Sequence, residues 1–234
     1  MFFKPKSTSL CVDPSSKFLD AQQVPAILDG LRALGYANEY DWVKHQCNFS
    51  KNKTQAQLRL PITIGVKDGA IDVQLQVKYL MVLVQTGSAA VGVFEGEKCI
   101  DHKVFSAYMV RKKQGKSQIK HLKTKGKSRA GSRVRLAKTL EFFENINLRL
   151  TRYNEENEFE RIAFSCSKIL MPYLFKSKVS TPFDKKDERI YRIPKHLHQP
   201  TFEVMLGMQR FLNKGELIFD PEENAEVAEL ITHL

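Results

Sequence analysis

The chain has few of the residues that mark a secreted, metal-bound or membrane-spanning protein. Its 234 residues include only four cysteines, which are scattered and form no Cys-x-x-Cys pair. We therefore predict neither a disulfide framework nor a metal site. The longest apolar run, around residues 79–84, is far shorter than the ~20 residues that a membrane helix needs. Because the first residues also lack the apolar core of a signal peptide, we expect a cytoplasmic protein with no membrane partner.

Acidic residues are absent from one long segment of the chain. Between His102 and Leu140 there are thirteen Lys and Arg residues and no Asp or Glu. Since the whole chain has 37 basic and 26 acidic residues, the remainder has 24 basic residues against 26 acidic ones. The net charge of +11 therefore comes from this segment alone. Local charge of this size and sign favours a nucleic-acid partner.

Hydrophobic periodicity predicts a mixed α/β chain in three parts. Residues 1–86 read as an α+β accessory region with an amphipathic helix that ends at Gly35 and a hairpin turn at residues 67–70. Beyond a boundary at Gly87, strands alternate with helices through residue 215, which is typical of an α/β domain. Residues 216–234 are acidic and predict a C-terminal helix.

The part of this acid-free stretch from Arg111 to Gly131, here called the basic segment, falls between a predicted strand and a predicted helix. The strand covers residues 100–110, and residues 115–131 show no hydrophobic periodicity and contain three glycines, which predicts an exposed loop. We expect the helix to begin near Ser132, with that hydroxyl as its N-cap. Its predicted buried stripe consists of Val134, Leu136, Leu140, Phe143, Ile146 and Leu150.

Three short motifs follow one another across this segment: Tyr108-Met-Val-Arg111, Gly115-x-x-Gln118, and Lys125-Gly-Lys-Ser-Arg-Ala-Gly131. Their order resembles the Vms-like release factors, which are relatives of the catalytic middle domain of eukaryotic and archaeal peptide-chain release factors. The resemblance covers roughly residues 87–215 and fits a short bacterial form. It implies an RNase H-like α/β fold for the catalytic domain.

The same resemblance implies a function on the ribosome. The domain would enter a large ribosomal subunit that holds a stalled chain and free the nascent peptide from its tRNA. The implied partners are therefore the large subunit, through its rRNA, and peptidyl-tRNA, and no cofactor is implied. We expect a ribosome-associated monomer that acts as a peptidyl-tRNA hydrolase.

Carried over to this chain, the resemblance gives Gln118 the role of the family's catalytic glutamine and Gly115 that of its turn glycine. A glutamine can orient the attacking water and donate a hydrogen bond to the developing oxyanion without a change of protonation state. A glycine permits a tight turn close to RNA. The residues expected to bind phosphates are Arg111, Lys112, Lys116, Lys120, Lys123, Lys125, Lys127, Arg129, Arg133 and Arg135.

Other functions remain open at this point. Conventional release factors have Gly-Gly-Gln, whereas Lys116 and Ser117 separate the glycine from the glutamine here. The same charge would also suit a non-enzymatic RNA-binding module, or an enzyme that releases the peptide by cutting the tRNA near its 3′ end. A metal-dependent nuclease would require that Asp101, Glu141 and a further acid meet in space.

Overall fold

The computed structural model describes residues 15–67, 70–72, 77–107 and 127–232, with the backbone alone for residues 67, 70 and 127–135. Its strands are β1 Ser15–Leu19, β2 Ala37–Asp41, β3 Gln46–Lys51, β4 Thr54–Arg59, β5 Gly65–Lys67, β6 Ala70–Asp72, β7 Lys78–Gln85, β8 Ser88–Glu95, β9 Lys98–Ser106, β10 Arg161–Cys166, β11 Ile190–Arg192 and β12 Gly215–Phe219. Its helices are α1 Val24–Ala33, α2 Lys127–Glu156, α3 Met171–Phe175, α4 Phe202–Leu212 and α5 Ala225–Thr232. The predicted mixed α/β class is thereby confirmed. No helix within these described ranges is long and apolar enough to cross a bilayer.

The chain divides into two compact units, and the division differs from the predicted one. The first unit combines the chain up to Pro61 with the chain from Lys214 onward, and the second unit is Ile62–Asn213. The predicted boundary at Gly87 lies instead inside a β-hairpin, because β7 pairs with β8 directly across that glycine. Gly87 has φ +77°, which suits a tight turn as well as a linker.

The first unit contains an antiparallel sheet with the strand order β1-β12-β4-β3-β2. The amphipathic helix α1 buries Val24, Ile27, Leu28 and Leu31, and Gly35 follows it with φ +81°, as predicted for a glycine at a helix end. The acidic C-terminal region was expected to be helical throughout. Residues 215–219 are instead the strand β12, whose alternating burial fits a place between β1 and β4, and the helix α5 comes after it.

The second unit contains a mixed sheet with the strand order β11-β10-β7-β8-β9. Strands β7, β8 and β9 form an antiparallel meander, and β10 and β11 run parallel to β7. One face packs against α2 and α3 through residues such as Val82, Val91, Phe143 and Leu174. The opposite face packs against α4 through residues such as Met81, Ala90, Met205 and Leu212. Both faces of the sheet are covered, which explains why residues 79–84 of β7 form an uninterrupted apolar run and are fully buried.

Local signals position the remaining elements of this unit. The predicted hairpin at residues 67–70 is confirmed by the antiparallel pairing of β5 with β6. Thr201 caps α4 by accepting a hydrogen bond from the backbone N–H of Val204 at 3.2 Å. Pro172 lies in the first turn of α3, where its missing N–H costs nothing.

Candidate nucleic-acid interface

The predicted site residues fall into two groups. Eight of them lie outside the described residues: Arg111, Lys112, Gly115, Lys116, Gln118, Lys120, Lys123 and Lys125. The other four lie on the backbone of the first turns of α2: Lys127, Arg129, Arg133 and Arg135. The described structure therefore defines where the basic segment leaves the sheet and where it returns.

The basic segment leaves the second unit's sheet at the carboxyl edge. Strands β7, β9, β10 and β11 all point the same way, since β9 is antiparallel to β8 and β8 is antiparallel to β7. The basic segment follows β9, so it begins at the edge where these four strands end. Ligands of open α/β sheets commonly bind outside the carboxyl ends of parallel strands. The basic segment is thus attached to the sheet at an edge that favours ligand binding.

The start of the basic segment is anchored to the β7–β8 turn. The backbone N–H of Ala107 donates a hydrogen bond to the carbonyl oxygen of Gly87 at 2.9 Å. A β-carbon added at Gly87 would lie only 2.7 Å from the carbonyl oxygen of Ala107. Next to it, the buried hydroxyl of Ser88 donates to the carbonyl oxygen of Pro200 at 2.7 Å, directly before the α4 cap. Gly87 therefore has to be a glycine, because a side chain there would collide with the backbone of Ala107.

The helix that receives the basic segment is longer than predicted. It begins at Lys127 rather than near Ser132, so Ser132 lies inside the helix and is not its N-cap. Residues 127–131, which were expected to belong to the loop, form the first helical turns. The lysines and arginines from Lys127 to Lys138 therefore belong to one continuous helix.

Burial divides α2 into two halves. From Leu136 to Glu141 every residue except the half-buried Thr139 is exposed, and Leu136 and Leu140 are 55% and 46% exposed. These two leucines were expected in the buried stripe and do not belong to it. The side chain of Val134, the first predicted member, lies outside the described residues. Among the described side chains of the helix, the buried ones are Phe142, Phe143, Ile146, Asn147, Leu150 and Tyr153.

The direction of α2 explains this division. Phe142 lies beside the end of β9, and Arg149 bonds to Asp101 in the middle of that strand, so the helix and the strand run antiparallel. Leu136 and Ala137, whose side chains are described and exposed, therefore lie beyond the last residue of β9. At 1.5 Å per residue, the segment 127–138 extends about 17 Å.

Two clefts lie between β9 and α2. The first has a volume of about 270 Å³ and is lined by the strand end 105–107 together with Lys138, Glu141, Phe142 and Asn145. The second, of about 470 Å³, shares Phe105 and Asn145 with the first and adds Lys103, Leu148, Arg149 and Arg152. Four basic side chains and one carboxylate thus line the two clefts, which lie beside the end of β9 where the basic segment begins.

Ion pairs reduce the positive charge along this strand–helix seam. Asp101 accepts a hydrogen bond from the guanidinium of Arg149 at 2.7 Å, and Glu156 accepts one from Arg152 at 2.8 Å. The guanidinium of Arg149 also lies over the ring of Tyr153, 4.6 Å from its centre, and burial raises the pKa of that phenol to about 12. Arg149 is therefore held in place by two neighbours, while Lys138 and Lys103 lie on exposed positions.

Asp101 and Glu141, the two acids named for a metal-dependent nuclease, each lie beside a basic side chain. Asp101 pairs with Arg149, and Glu141 lines the first cleft beside Lys138. Within residues 15–67, 70–72, 77–107 and 127–232, no three His, Cys, Asp or Glu side chains are arranged to hold a metal ion.

Sequence reasoning missed the pairing of Asp101 with Arg149 and the contribution of Lys138 to the strand–helix clefts. The two members of the ion pair are 48 positions apart in the chain, so no local pattern connects them. Lys138 belongs to the acid-free segment, and its place beside β9 follows once the antiparallel direction of α2 is known.

Comparison with known proteins gives two findings. The family model described as Bacteroidetes VLRF1 release factor matches residues 79–218, which is more than half of the chain. Among solved structures, the chain is similar to the Vms1 mitochondrial localization core, at 14% identity and a TM-score of 0.40, over 80% of this chain and 76% of that one. No curated protein matches the chain.

Proposed function

Because the chain belongs to the Bacteroidetes VLRF1 release factor family, we propose that it is a ribosome-associated peptidyl-tRNA hydrolase that frees nascent chains from stalled large subunits. The observation that carries this proposal is the position of the basic segment. It lies within the matched residues 79–218 and joins the carboxyl end of β9 to the exposed half of α2. We expect the protein to act in the cytoplasm as a monomer bound to the ribosome.

The strand order of the second unit supports an RNase H-like catalytic domain. Numbered from β7, its sheet has the order 3-2-1-4-5, in which the first three strands are antiparallel and the last two are parallel to the first. We propose that this mixed sheet is the core of the RNase H-like domain that the family resemblance implies. In the proposal, the basic segment is inserted between the third strand and the helix that leads to the fourth.

Gln118 is the proposed catalyst, with Gly115 as the residue that lets the backbone turn toward the tRNA end. The reaction adds water to the ester carbonyl, breaks the bond to the tRNA 3′ oxygen and leaves the peptide as a carboxylic acid. A charged base among phosphates would be costly to desolvate, whereas an amide remains neutral. Gln118 would orient the water and donate a hydrogen bond to the oxyanion that develops on the carbonyl.

The basic residues have a separate proposed role, which is docking. Lysines and arginines on α2, such as Arg133 and Arg135, would contact phosphates of rRNA or tRNA without reading sequence. From Leu136 to Glu141 the helix is exposed apart from the half-buried Thr139, so contact with RNA there would disrupt no core packing. We expect these residues to set affinity and salt dependence and to leave the chemical step to Gln118.

The direct test uses purified large subunits that hold a stalled peptidyl-tRNA. The wild-type protein should release the peptide, and Gln118→Ala should release it at least a hundredfold more slowly. Gln114→Ala is a matched control, since it removes an identical side chain from the same segment. Equal release by wild type and Gln118→Ala would refute the assignment of the catalyst.

Two alternatives are separated by the same reaction. If the protein cuts the tRNA near its 3′ end, the released peptide carries nucleotides and the tRNA is shortened, whereas ester hydrolysis leaves an intact 3′ end. A non-enzymatic RNA-binding module is favoured by the concentration of positive charge alone. It predicts binding that depends on the lysines and arginines, with no release by the wild type.

A further inference from the structure

A pocket of about 760 Å³ lies next to the carboxyl end of β10, in a part of the second unit that the proposed mechanism does not use. It is formed by α3 and the turn that follows, between Lys168 and Lys185. Because β10 and β9 end at the same edge of the sheet, the pocket is at the edge from which the basic segment emerges. Its volume is within the range of sites that hold small molecules.

The apolar lining of the pocket is aromatic. Phe175 and Phe183 both line it, with their ring centres 6.2 Å apart and their planes at 78°. Phe164 lies 6.1 Å from Phe175 and 6.4 Å from Phe183, so the three rings form one cluster continuous with the core. Pro172 and Pro182 add two further flat, rigid surfaces. This lining suits a planar ring that stacks rather than a flexible chain.

The walls of the pocket are fixed to the rest of the unit. The buried amide of Asn147 on α2 donates hydrogen bonds to the carbonyl oxygens of Leu174 at 2.9 Å and Val179 at 2.7 Å. The hydroxyl of Thr181 donates to the carbonyl oxygen of Phe183 at 2.8 Å. A pocket held in this way is formed before a ligand arrives, which lowers the entropy cost of binding.

The rim of the pocket is basic. Lys168, Lys176 and Lys185 line it and are exposed, and Asp184 is the one carboxylate in the lining. A ligand that complements this pocket therefore combines a planar, mostly apolar ring with negative charge. Nucleoside phosphates have both features, and unpaired bases of RNA stack on aromatic side chains in many complexes.

We infer that this pocket binds a nucleoside phosphate, with the base against Phe175 and the phosphate among the rim lysines. The ligand could be an unpaired nucleotide of an RNA strand or a free mononucleotide. The RNA source rests on the proposed function, in which the protein is bound to the ribosome beside rRNA and tRNA. The pocket itself does not depend on Gln118.

The direct experiment follows the methyl group of Met171, which lines the pocket, by nuclear magnetic resonance. Three probes are added to the full chain: adenosine 5′-monophosphate, ribose 5-phosphate, and a single-stranded adenine hexanucleotide. Stacking of a base in the pocket should shift this methyl resonance with both adenine probes and not with the sugar phosphate. If the hexanucleotide saturates the shift at a much lower concentration than the mononucleotide, the natural ligand is an RNA strand.

Substitutions provide the second readout. Phe175→Leu keeps an apolar side chain and removes the ring face, so the affinity for adenosine 5′-monophosphate should fall about tenfold. Lys176→Ala/Lys185→Ala should weaken this affinity at least fivefold. The control Lys178→Ala/Lys186→Ala removes the same charge from two exposed lysines of the same stretch that do not line the pocket, and should change it less than twofold.

The outcomes separate this inference from the proposed function. A shift of the Met171 methyl in a protein that releases no peptide would support the pocket and refute the release activity. Peptide release by a protein whose Met171 methyl does not move with any adenine probe would overturn the pocket assignment alone. Equal losses in the pocket pair and the control pair would also overturn it, since they would indicate diffuse charge. Thermal unfolding of each variant checks that Phe175→Leu has left the fold intact.

Discussion

The two halves of α2 have the same secondary structure and opposite surroundings. In the second half, Phe143, Ile146 and Leu150 are fully buried against the sheet. In the first half, Leu136 and Leu140 are exposed, and five basic residues occur before the first acid, Glu141. The part of the helix from Phe142 onward is thus held by packing, whereas residues 136–141 present mostly exposed side chains. This difference predicts which substitutions unfold the protein and which only weaken its contact with RNA.

The largest effect is expected from Phe143→Ala in the packed half. The ring of Phe143 is stacked 5.8 Å from that of Tyr173 and is fully buried, so its removal should lower the free energy of unfolding by about 3–5 kcal/mol. Leu140→Ala, one turn earlier in the exposed half, should change it by less than about 0.5 kcal/mol. Denaturant unfolding followed by circular dichroism measures both values. Similar losses in the two variants would remove the distinction between the halves.

A smaller loss is expected from Asn147→Ala, which removes a polar contact of the packed half. Its amide donates hydrogen bonds to the carbonyl oxygens of Leu174 and Val179, and both oxygens would lose a donor. We expect a loss of about 2 kcal/mol in the same unfolding assay. Asn145→Ala, which alters an exposed asparagine two positions earlier, is the control and should have little effect. A loss as small as that of the control would contradict the role of Asn147 in fixing the turn.

The binding half is tested by Arg133→Gln/Arg135→Gln/Lys138→Gln. Each charge that contacts a phosphate contributes about 0.7 to the slope of log affinity for single-stranded RNA against log salt concentration, so the triple variant should reduce that slope by about 2. The free energy of unfolding should stay within about 0.5 kcal/mol of wild type. Binding titrations at several salt concentrations measure the slope. An unchanged slope would mean that this half of α2 does not contact RNA.

The smallest effect is expected from loss of the ion pair that joins Asp101 on β9 to Arg149 on α2. Asp101→Asn weakens the contact with Arg149, and since the carboxylate is half exposed we expect a loss of only about 0.2–1 kcal/mol. The same variant leaves Arg149 beside the basic clefts without its carboxylate, so affinity for RNA should rise slightly. Unfolding and binding measurements on the same sample test both the expected loss of stability and the expected gain in RNA affinity. Weaker RNA binding would show that Asp101 does not compete with phosphate at this seam.

Much of the second unit could be predicted from the sequence because its signals are local. The fully apolar run of β7, the turn before Lys98 and the cap at Thr201 each depend on a few adjacent residues. The boundary at Gly87 was misplaced for a physical reason. A glycine with positive φ serves a hairpin and a linker equally well, and only the pairing of β7 with β8 distinguishes them.

The leucines of α2 show where local patterns are insufficient. Leu136, Leu140 and Phe143 have the spacing of one helical face, which predicts that all three are buried. The spacing carries no information about where the neighbouring strand ends, and that end decides which of them are buried. The basic character of the site was evident from composition, and the assignment of Gln118 and Gly115 came from motif resemblance and remains a prediction. The lysine-rimmed pocket was not predicted, because Asp184, Asp187 and Glu188 mask the charge of that stretch in the sequence.

The central claim is that an uncharged residue performs the chemistry while the charged residues provide docking. It is tested most directly by single-turnover release from stalled large subunits at increasing protein concentration. The triple variant of α2 should reach the wild-type release rate once the protein is in excess, whereas Gln118→Ala should remain at least a hundredfold slower at every concentration. If Gln118→Ala recovers at high concentration, or the triple variant never does, the division between chemistry and docking is wrong.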